Sequence, residues 1–301
     1  MRGGILGRRQ AGEERALPTP FKRMLMEELR GRLPEHLLPL LPSGLQIIGH
    51  VAILSLRPEL EDYASLIAEL VLKKFPYIRT VCRKLGPMVG PVKEPQVEVI
   101  AGLRETETIH REGGCLFKLD VAKLMFAKGN INERRRMAEV VREGEVVFDM
   151  FAGIGYFTIP MARTGRPAVI YASDINPLAI HYLAENVRLN KVKGLVVPIL
   201  ADCRSVAERL PGFADRVVMG YIPGAAPFLP AALKALRPEG GVIHYHDTYH
   251  ERELWWKPIQ VLRAYGAEAG FRLAEVLYRG VVKSYGPRIY HVVVDARFEP
   301  A

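Results

Sequence analysis

Three carboxylates follow three apolar runs along the chain. Asp149 ends Val146-Val147-Phe148, Asp174 ends Val169 to Ser173, and Asp202 follows Val196 to Ala201. The first opens a loop that reads Asp149-Met150-Phe151-Ala152-Gly153-Ile154-Gly155-Tyr156. In an open α/β sheet a ligand binds outside the carboxyl ends of the strands, and glycines there let the backbone come close to it. The spacing is Gly-x-Gly, but Thr158 stands where a dinucleotide fingerprint has its third glycine. Asp149 would repel a pyrophosphate and suits a cationic ligand, and the sulfonium of S-adenosylmethionine is one. Asp174, 25 residues after Asp149, is placed to take both hydroxyls of an adenosine ribose. Asp202 is placed to accept from an adenine amino group. Taken singly, each has a plainer reading. A Gly-x-Gly is often only a tight turn, and Asp174 or Asp202 could cap a helix. Three acids at three successive strand ends point to a cofactor site.

The elements that must hold these residues follow from the pattern. From residue 145 onward, strand and helix alternate. Strands are expected at Val146–Phe151, Ala168–Ser173, Val196–Leu200, Arg216–Met219 and Val242–Tyr245. Helices are expected up to Arg163, and over Pro177–Asn190, Pro227–Leu236 and Glu251–Ala269. Such alternation means a parallel sheet covered on both faces. Two final strands, Leu273–Val282 and Ile289–Ala296, predict one antiparallel edge. Upstream, Leu60, Tyr63, Leu66, Ile67, Leu70 and Val71 give Glu59–Lys74 one helical face. Gly86, Pro87, Gly90, Pro91 and Pro95 mark a loop, and Val97–Ala101, Thr106–His110 and Cys115–Asp120 read as short strands. The expected organisation is a basic flexible tail over 1–18, a small α+β domain over 19–124 and a Rossmann-like domain over 125–301.

The chain has 301 residues, 49% of them hydrophobic, enough for a packed core in each domain. No apolar run is long enough to span a membrane, and the N-terminal stretch lacks the apolar segment of a secretory signal. Three cysteines at wide spacings, Cys82, Cys115 and Cys203, argue against a disulfide framework and a zinc site, and fit a reducing cytoplasm. The net charge of +9 suggests a polyanionic partner, most simply nucleic acid.

Asp149 to Phe157 (DMFAGIGYF) resembles a motif shared by two sister families acting on tRNA. One is the archaeal and eukaryotic guanine N1-methyltransferase, and the other is the wybutosine-pathway tRNA aminocarboxypropyltransferase. The resemblance runs from about 45 to 298. It includes Phe117-Lys-Leu-Asp120, Met125 to Arg134, Ile175-Asn-Pro177, Glu185-Asn186 and Ile243-His-Tyr-His246. Two places separate the sisters. The methyltransferase carries an Asn-Leu-Pro type motif after its fourth strand, where this chain has Met219-Gly220-Tyr221-Ile222-Pro223. It also carries a Ser-Pro-Arg-Leu segment where this chain has Ala127-Lys128-Gly129-Asn130. Both changes, with Gly241 to Thr248 and Tyr290 to Asp295, look like the aminocarboxypropyltransferase.

That resemblance implies an α/β, class I methyltransferase-like Rossmann fold with a mostly parallel seven-stranded sheet, preceded by a small α+β domain. It implies transfer of the 3-amino-3-carboxypropyl group of S-adenosylmethionine to 4-demethylwyosine in phenylalanine tRNA, releasing methylthioadenosine, with no metal. Ala127, Asp149, Phe151, Ala152, Gly153, Gly155, Ile175 and Gly220 are then expected at the cofactor. Arg134 would hold its carboxylate, Asp174 its ribose, and Asp202 with Cys203 its adenine. Ala127 stands where the family has Ser, and Cys203 where it has Asn, so neither is expected to bond directly. Tyr221 and His244 are expected to position the reactants. His244 and His246 flank Tyr245 and share a face, and near-site packing or substrate contact suits them better than metal binding. Of Trp255 and Trp256, one ring is expected in the core and one exposed. Phosphate contacts are expected from Lys73, Lys74, Arg79, Arg83, Lys84, Lys128 and Arg134–Arg136. The protein is expected to act as a monomer, with no membrane partner. The alternatives are the methyltransferase itself and a non-catalytic tRNA-binding protein that keeps a dead cofactor fold.

Overall fold

A computed structural model describes residues 19–301, so the expected tail over 1–18 lies outside the described residues. The chain divides into two compact units. One takes the residues up to 47 with 52–85 and 98–104; the other takes 48–51, 86–97 and 105–301.

The first unit contains helix α1 (Pro20–Leu29), capped by the Thr19 hydroxyl, which accepts from the Lys22 N–H. It also holds most of a four-stranded sheet ordered β1 (Gln46–Ile48), β2 (Val51–Leu54), β3 (Thr80–Lys84) and β4 (Val97–Gly102). The expected helix over 59–74 is a 3-10 turn at Pro58–Tyr63 followed by α2 (Ala64–Lys74). Leu60, Ile67 and Val71 from these segments pack with Leu25 and Leu29 of α1 in one buried core.

In the second unit, β5 (Glu107–Glu112) and β6 (Cys115–Asp120) form an antiparallel hairpin. Then come α3 (Ile131–Val140), β7 (Val146–Asp149), α4 (Thr158–Thr164), β8 (Val169–Asp174), α5 (Pro177–Leu189), β9 (Val196–Leu200) and α6 (Cys203–Arg209). The chain continues through β10 (Arg216–Met219), α7 (Leu229–Ala235), β11 (Gly241–His250), α8 (Trp256–Glu268), β12 (Phe271–Gly286) and β13 (Ile289–Pro300). The sheet order is β12-β13-β11-β10-β7-β8-β9. Neighbours from β11 to β9 are parallel, and β13 is antiparallel to both β11 and β12. The mostly parallel seven-stranded sheet is therefore present, with a two-stranded antiparallel edge.

Three differences from the pattern have physical causes. The hairpin of β5 and β6 belongs with the larger unit rather than ending the smaller domain at 124. Two amides, Asn186 in α5 and Asn190 at its C-cap, hold it there. Asn186 Oδ1 accepts from Lys118 N at 2.6 Å, and its Nδ2 donates to the carbonyls of Lys118 and Ile154. Asn190 makes the same kind of pair with the N–H and C=O of Leu116, at 2.8 and 2.7 Å. Second, β11 does not stop at Tyr245 but runs on to His250. Its parallel partner β10 reaches only Tyr245, while the antiparallel partner β13 pairs with all ten residues, so polar His246 and Asp247 stay in the ladder. Third, the expected helix over 251–269 is split. A 3-10 turn at Glu251–Glu253 comes first, and Trp255, in the left-handed region at φ 70°, precedes α8. Trp255 packs against the core, and Trp256 is 52% exposed.

Asn186 is fully buried and satisfies three backbone groups at once. Asn186→Ala leaves those groups unpaired and is expected to lower unfolding free energy by about 3 kcal/mol. Denaturant titration checks this; a loss near zero would show that the hairpin is held by something else.

Candidate active site

The strand order reverses beside β7: β8 and β9 lie to one side of it, β10 and β11 to the other. Loops leaving neighbouring carboxyl ends diverge at such a point and open a crevice. Here it is a cavity of about 350 Å³. Its wall takes residues from the ends of β7 (Phe151, Gly153, Tyr156), β8 (Asp174, Ile175, Asn176), β9 (Asp202, Cys203, Arg204) and β10 (Gly220, Tyr221). Phe228 and Met125 also line it, with Pro91, Val92 and Lys93 from the Pro/Gly loop.

The turn after β7 is shaped by Asp149 from beneath. Its carboxylate is fully buried and accepts from the Thr158 hydroxyl at 2.7 Å and from Phe151 N at 3.4 Å. Burial pushes its pKa up to about 6, against the pull of those hydrogen bonds. Asp149 does not line the cavity, and neither do Ala152 and Gly155. Gly155 has φ 96°, and a Cβ there would lie 2.7 Å from Ile159 and 2.8 Å from Leu183, so the position requires glycine.

Asp174 faces the cavity. Its Oδ2 accepts from Gly153 N and its Oδ1 from Asn176 N, both at 2.9 Å. Burial raises its pKa. Capping of α5 falls to Asn176, which accepts from Leu178 N and Ala179 N, so Asp174 is not the cap. Asp202 is both a cap and a wall residue. It accepts from Arg204 N at 2.8 Å, and the Arg204 guanidinium closes on both its oxygens. Arg204 holds the Asp202 carboxyl below its usual range. Cys203 is buried, which pushes its thiol up to about 12. Phe151, Tyr221 and Phe228 form an aromatic corner, with Phe151 stacked on Tyr221 at 5.1 Å between centroids and edge-on to Phe228 at 5.0 Å.

Four expected site residues sit elsewhere. Arg134 is 3% exposed, its Nε and Nη2 donate to the two oxygens of Glu112, and its Nη1 donates to the Ala127 carbonyl. The fork is closed on that carboxylate, so the geometry does not present Arg134 to the cavity as the expected clamp, and Ala127 does not line the cavity. His244 is fully buried in a chain of charges. Its Nδ1 meets Asp295 and its Nε2 meets Arg216, each at 2.6 Å, and Arg216 grips Glu145. Arg136 grips both Asp295 and Glu133. Burial lowers the His244 pKa. His246 is buried beside His291, and Phe157 stacks on it at 5.4 Å. Among the expected phosphate contacts, Lys74 pairs with Glu28, and Arg83 with Glu61 and Glu98. Lys73, Lys84, Lys128 and Arg135 are exposed. The pattern missed Lys93, Met125, Tyr156, Asn176 and Phe228, because a loop or helix residue reaches the cavity through tertiary packing that no local spacing encodes. Among the described residues no group of His, Cys, Asp or Glu is placed to hold a metal ion, and no helix is long and apolar enough to cross a membrane.

Comparison with known proteins agrees with this architecture. Residues 108–274 match the profile described as "TRM5/TYW2 methyltransferase domain", more than half of the chain. The chain belongs to the TRM5/TYW2 family. Within that family, residues 25–106 match the "TYW2 N-terminal domain". A curated family member from Methanocaldococcus jannaschii, named tRNA(Phe) (4-demethylwyosine(37)-C(7)) aminocarboxypropyltransferase, is 48% identical over 73% of this chain and 88% of its own length. One of the same name from Pyrococcus horikoshii is 40% identical over 92% of this chain and 97% of its own length. The crystal structure of P. horikoshii TYW2 in complex with MeSAdo superposes with TM-score 0.81 at 37% identity, covering 93% of this chain and all of that one.

The pair of Arg134 and Glu112 generates a prediction. Burial would raise the Glu112 pKa, but His110 and Arg134 outweigh it and lower it to about 2. A carboxylate depressed in the folded state contributes stability above its unfolded value near 4.5 and loses it as pH falls toward 2. Glu112→Gln strands a buried guanidinium and is expected to cost about 3 kcal/mol at pH 7. The gap from the unmodified protein should narrow between pH 4.5 and 2. Urea unfolding across that range checks it; a gap independent of pH would refute the ionic account.

Proposed function

We infer that this protein transfers the 3-amino-3-carboxypropyl group of S-adenosylmethionine to 4-demethylwyosine in tRNA. The single observation that carries the reading is the cavity at the strand-order reversal, with Asp174 facing it, in a TRM5/TYW2 domain preceded by a segment that matches the TYW2 N-terminal domain. The residues present fit the donor. Asp174 offers carboxylate oxygens for the ribose hydroxyls, Asp202 and Cys203 stand where the adenine would lie, and the Phe151–Tyr221–Phe228 corner supplies an apolar wall.

The bound donor supplies an electrophilic carbon next to sulfur. Its sulfonium carries three such carbons, and the one aligned with the acceptor is the one attacked, so positioning selects the product. For aminocarboxypropyl transfer, a bond forms between the acceptor ring carbon and the γ-carbon. The γ-carbon–sulfur bond breaks, methylthioadenosine leaves with the electron pair, and the ring carbon loses its proton to water. Gly220 brings no polar side chain to the cavity with which to orient a methyl acceptor. Among the site residues, Phe151, Gly153, Ile175, Gly220 and Tyr221 act by shaping the cavity, while Asp149, Ala152 and Gly155 shape the turn behind it. His244 and Arg134 act at a distance, by fixing the sheet and α3.

We place the acceptor beside the anticodon of phenylalanine tRNA; the relatives' names specify tRNA(Phe) and 4-demethylwyosine at position 37 for them. Exposed Lys73, Lys84, Lys128 and Arg135 supply candidate phosphate contacts. We propose that it acts as a monomer, and three buried cysteines that form no disulfide among the described residues support a cytoplasmic setting.

The test uses S-adenosylmethionine labelled in the methyl or in the carboxyl group, with phenylalanine tRNA carrying the tricyclic precursor. Carboxyl label should enter RNA in step with methylthioadenosine release. Methyl label alone would make the chain a methyltransferase, and no label with intact RNA binding would make it a binding protein. Asp174→Ala should raise the KM for the donor about 100-fold through loss of two charge-assisted hydrogen bonds. RNA affinity should fall by at least about tenfold between 50 and 200 mM salt, as about three or more phosphate contacts would require; a flat response in filter binding would contradict the basic contact surface.

A further inference from the structure

The transferred group carries a carboxylate, and the cavity must hold that carboxylate while the adenosine half is held by Asp174 and its neighbours. Two cationic side chains line the cavity, Lys93 and Arg204. Arg204 is closed on both oxygens of Asp202 and lies over the Phe228 ring at 5.2 Å. Arg134 is closed on Glu112 outside the wall. Lys93 differs from both. Its Nζ donates to the Ile222 carbonyl and lies 4.4 Å from the centroid of the Tyr221 ring. Among the described residues it forms no ion pair with a carboxylate. The nearest acid acting on it is Asp247, whose oxygens already accept from Gly224 N, Ala225 N, Thr248 N and the Tyr245 hydroxyl.

We propose that Lys93 receives the α-carboxylate of the aminocarboxypropyl group and so fixes which carbon of the donor faces the acceptor. The inference rests on the donor-binding reading of the cavity. An ammonium has three donors, and a carbonyl and a ring face leave Lys93 with capacity for an anion. Its place in the cavity is built. Val89 and Glu94 exchange backbone hydrogen bonds at 3.0 and 2.9 Å, closing a tight turn that carries Lys93. Lys93 adopts φ 54°, a left-handed conformation uncommon for a residue with a Cβ. Such backbone persists where the surroundings hold it, and it concentrates at ligand sites. Burial also lowers the Lys93 pKa, the signature of a charge short of a counter-ion. At the far side of the cavity, Asp202, Cys203 and Arg204 belong to the end of β9, whereas Lys93 contacts Tyr221 and Ile222 after β10. A ligand with its ribose at Asp174 thus has its adenine on one side and this cation on the other. After transfer, the by-product methylthioadenosine has no carboxylate, so Lys93 would favour the donor over the spent nucleoside.

The test is a binding panel by isothermal titration. The ligands are S-adenosylmethionine, S-adenosylhomocysteine, which keeps the carboxylate, and methylthioadenosine, which lacks it. Lys93→Gln is expected to weaken the first two by about 10- to 100-fold, the range for a lost charged hydrogen bond, and to leave methylthioadenosine within about twofold, too small to reflect one. Lys93→Arg should recover part of the loss, and thermal unfolding of both variants should match the native protein. Equal weakening of all three ligands would overturn the inference by making Lys93 a shaper of the cavity. Unchanged binding of all three would overturn it by removing Lys93 from the donor. Failure of the native protein to bind any of them would instead overturn the donor reading, and the inference with it.

Discussion

A parallel sheet whose strand order reverses can leave only one place where adjacent loops part. In this fold that place is fixed by β7, the strand flanked by β8 and β10. The wall of the cavity follows from it. Each strand end contributes the side chains of the turn that follows it. Asp174 is the plainest case. Two backbone N–H groups hold its carboxylate in place, one from its own turn and one from the glycine loop next door. The two loops thereby fix each other, which is why glycine conformation at one strand end governs the orientation of a charge at the next.

Behind the cavity runs a buried chain of ionisable side chains, Glu145–Arg216–His244–Asp295–Arg136–Glu133. It links β10, β11, β13 and α3. Buried ion pairs add little net stability over well-packed apolar groups, but a broken one is costly. Their effect here is on register. His244 and Asp295 stand opposite each other in the ladder of β11 and β13, so a slip by one residue would send Asp295 to the other face, away from both His244 and Arg136. The hairpin edge is thus aligned by charge as well as by turn geometry, and α3 is tied to it through Arg136.

The sheet was legible because apolar runs and their terminal acids recur with the period of a strand and a helix. The cavity acids at 174 and 202 were legible for the same reason, since a strand end is a place a sequence marks. Asp149 was legible as an acid but not as a buried one: the hydroxyl that engages it belongs to Thr158, nine residues on. Arg134 looked like a clamp on the donor and instead closes on Glu112, which is supplied by a hairpin that the pattern assigned to another domain. The reach of β11 beyond Tyr245 was hidden too, since its last residues are polar and remain in the sheet only because β13 pairs with them. In each case the missing information was the identity of a partner distant in sequence.

Gly220 and Phe157 carry a consequence for descent within the family. A Cβ at 220 would lie 2.9 Å from the Phe157 ring, whose other face rests on buried His246. A side chain at 220 therefore requires the Phe157 ring to shift against His246, which couples the two positions: the cost of leaving glycine at 220 depends on what stands at 157.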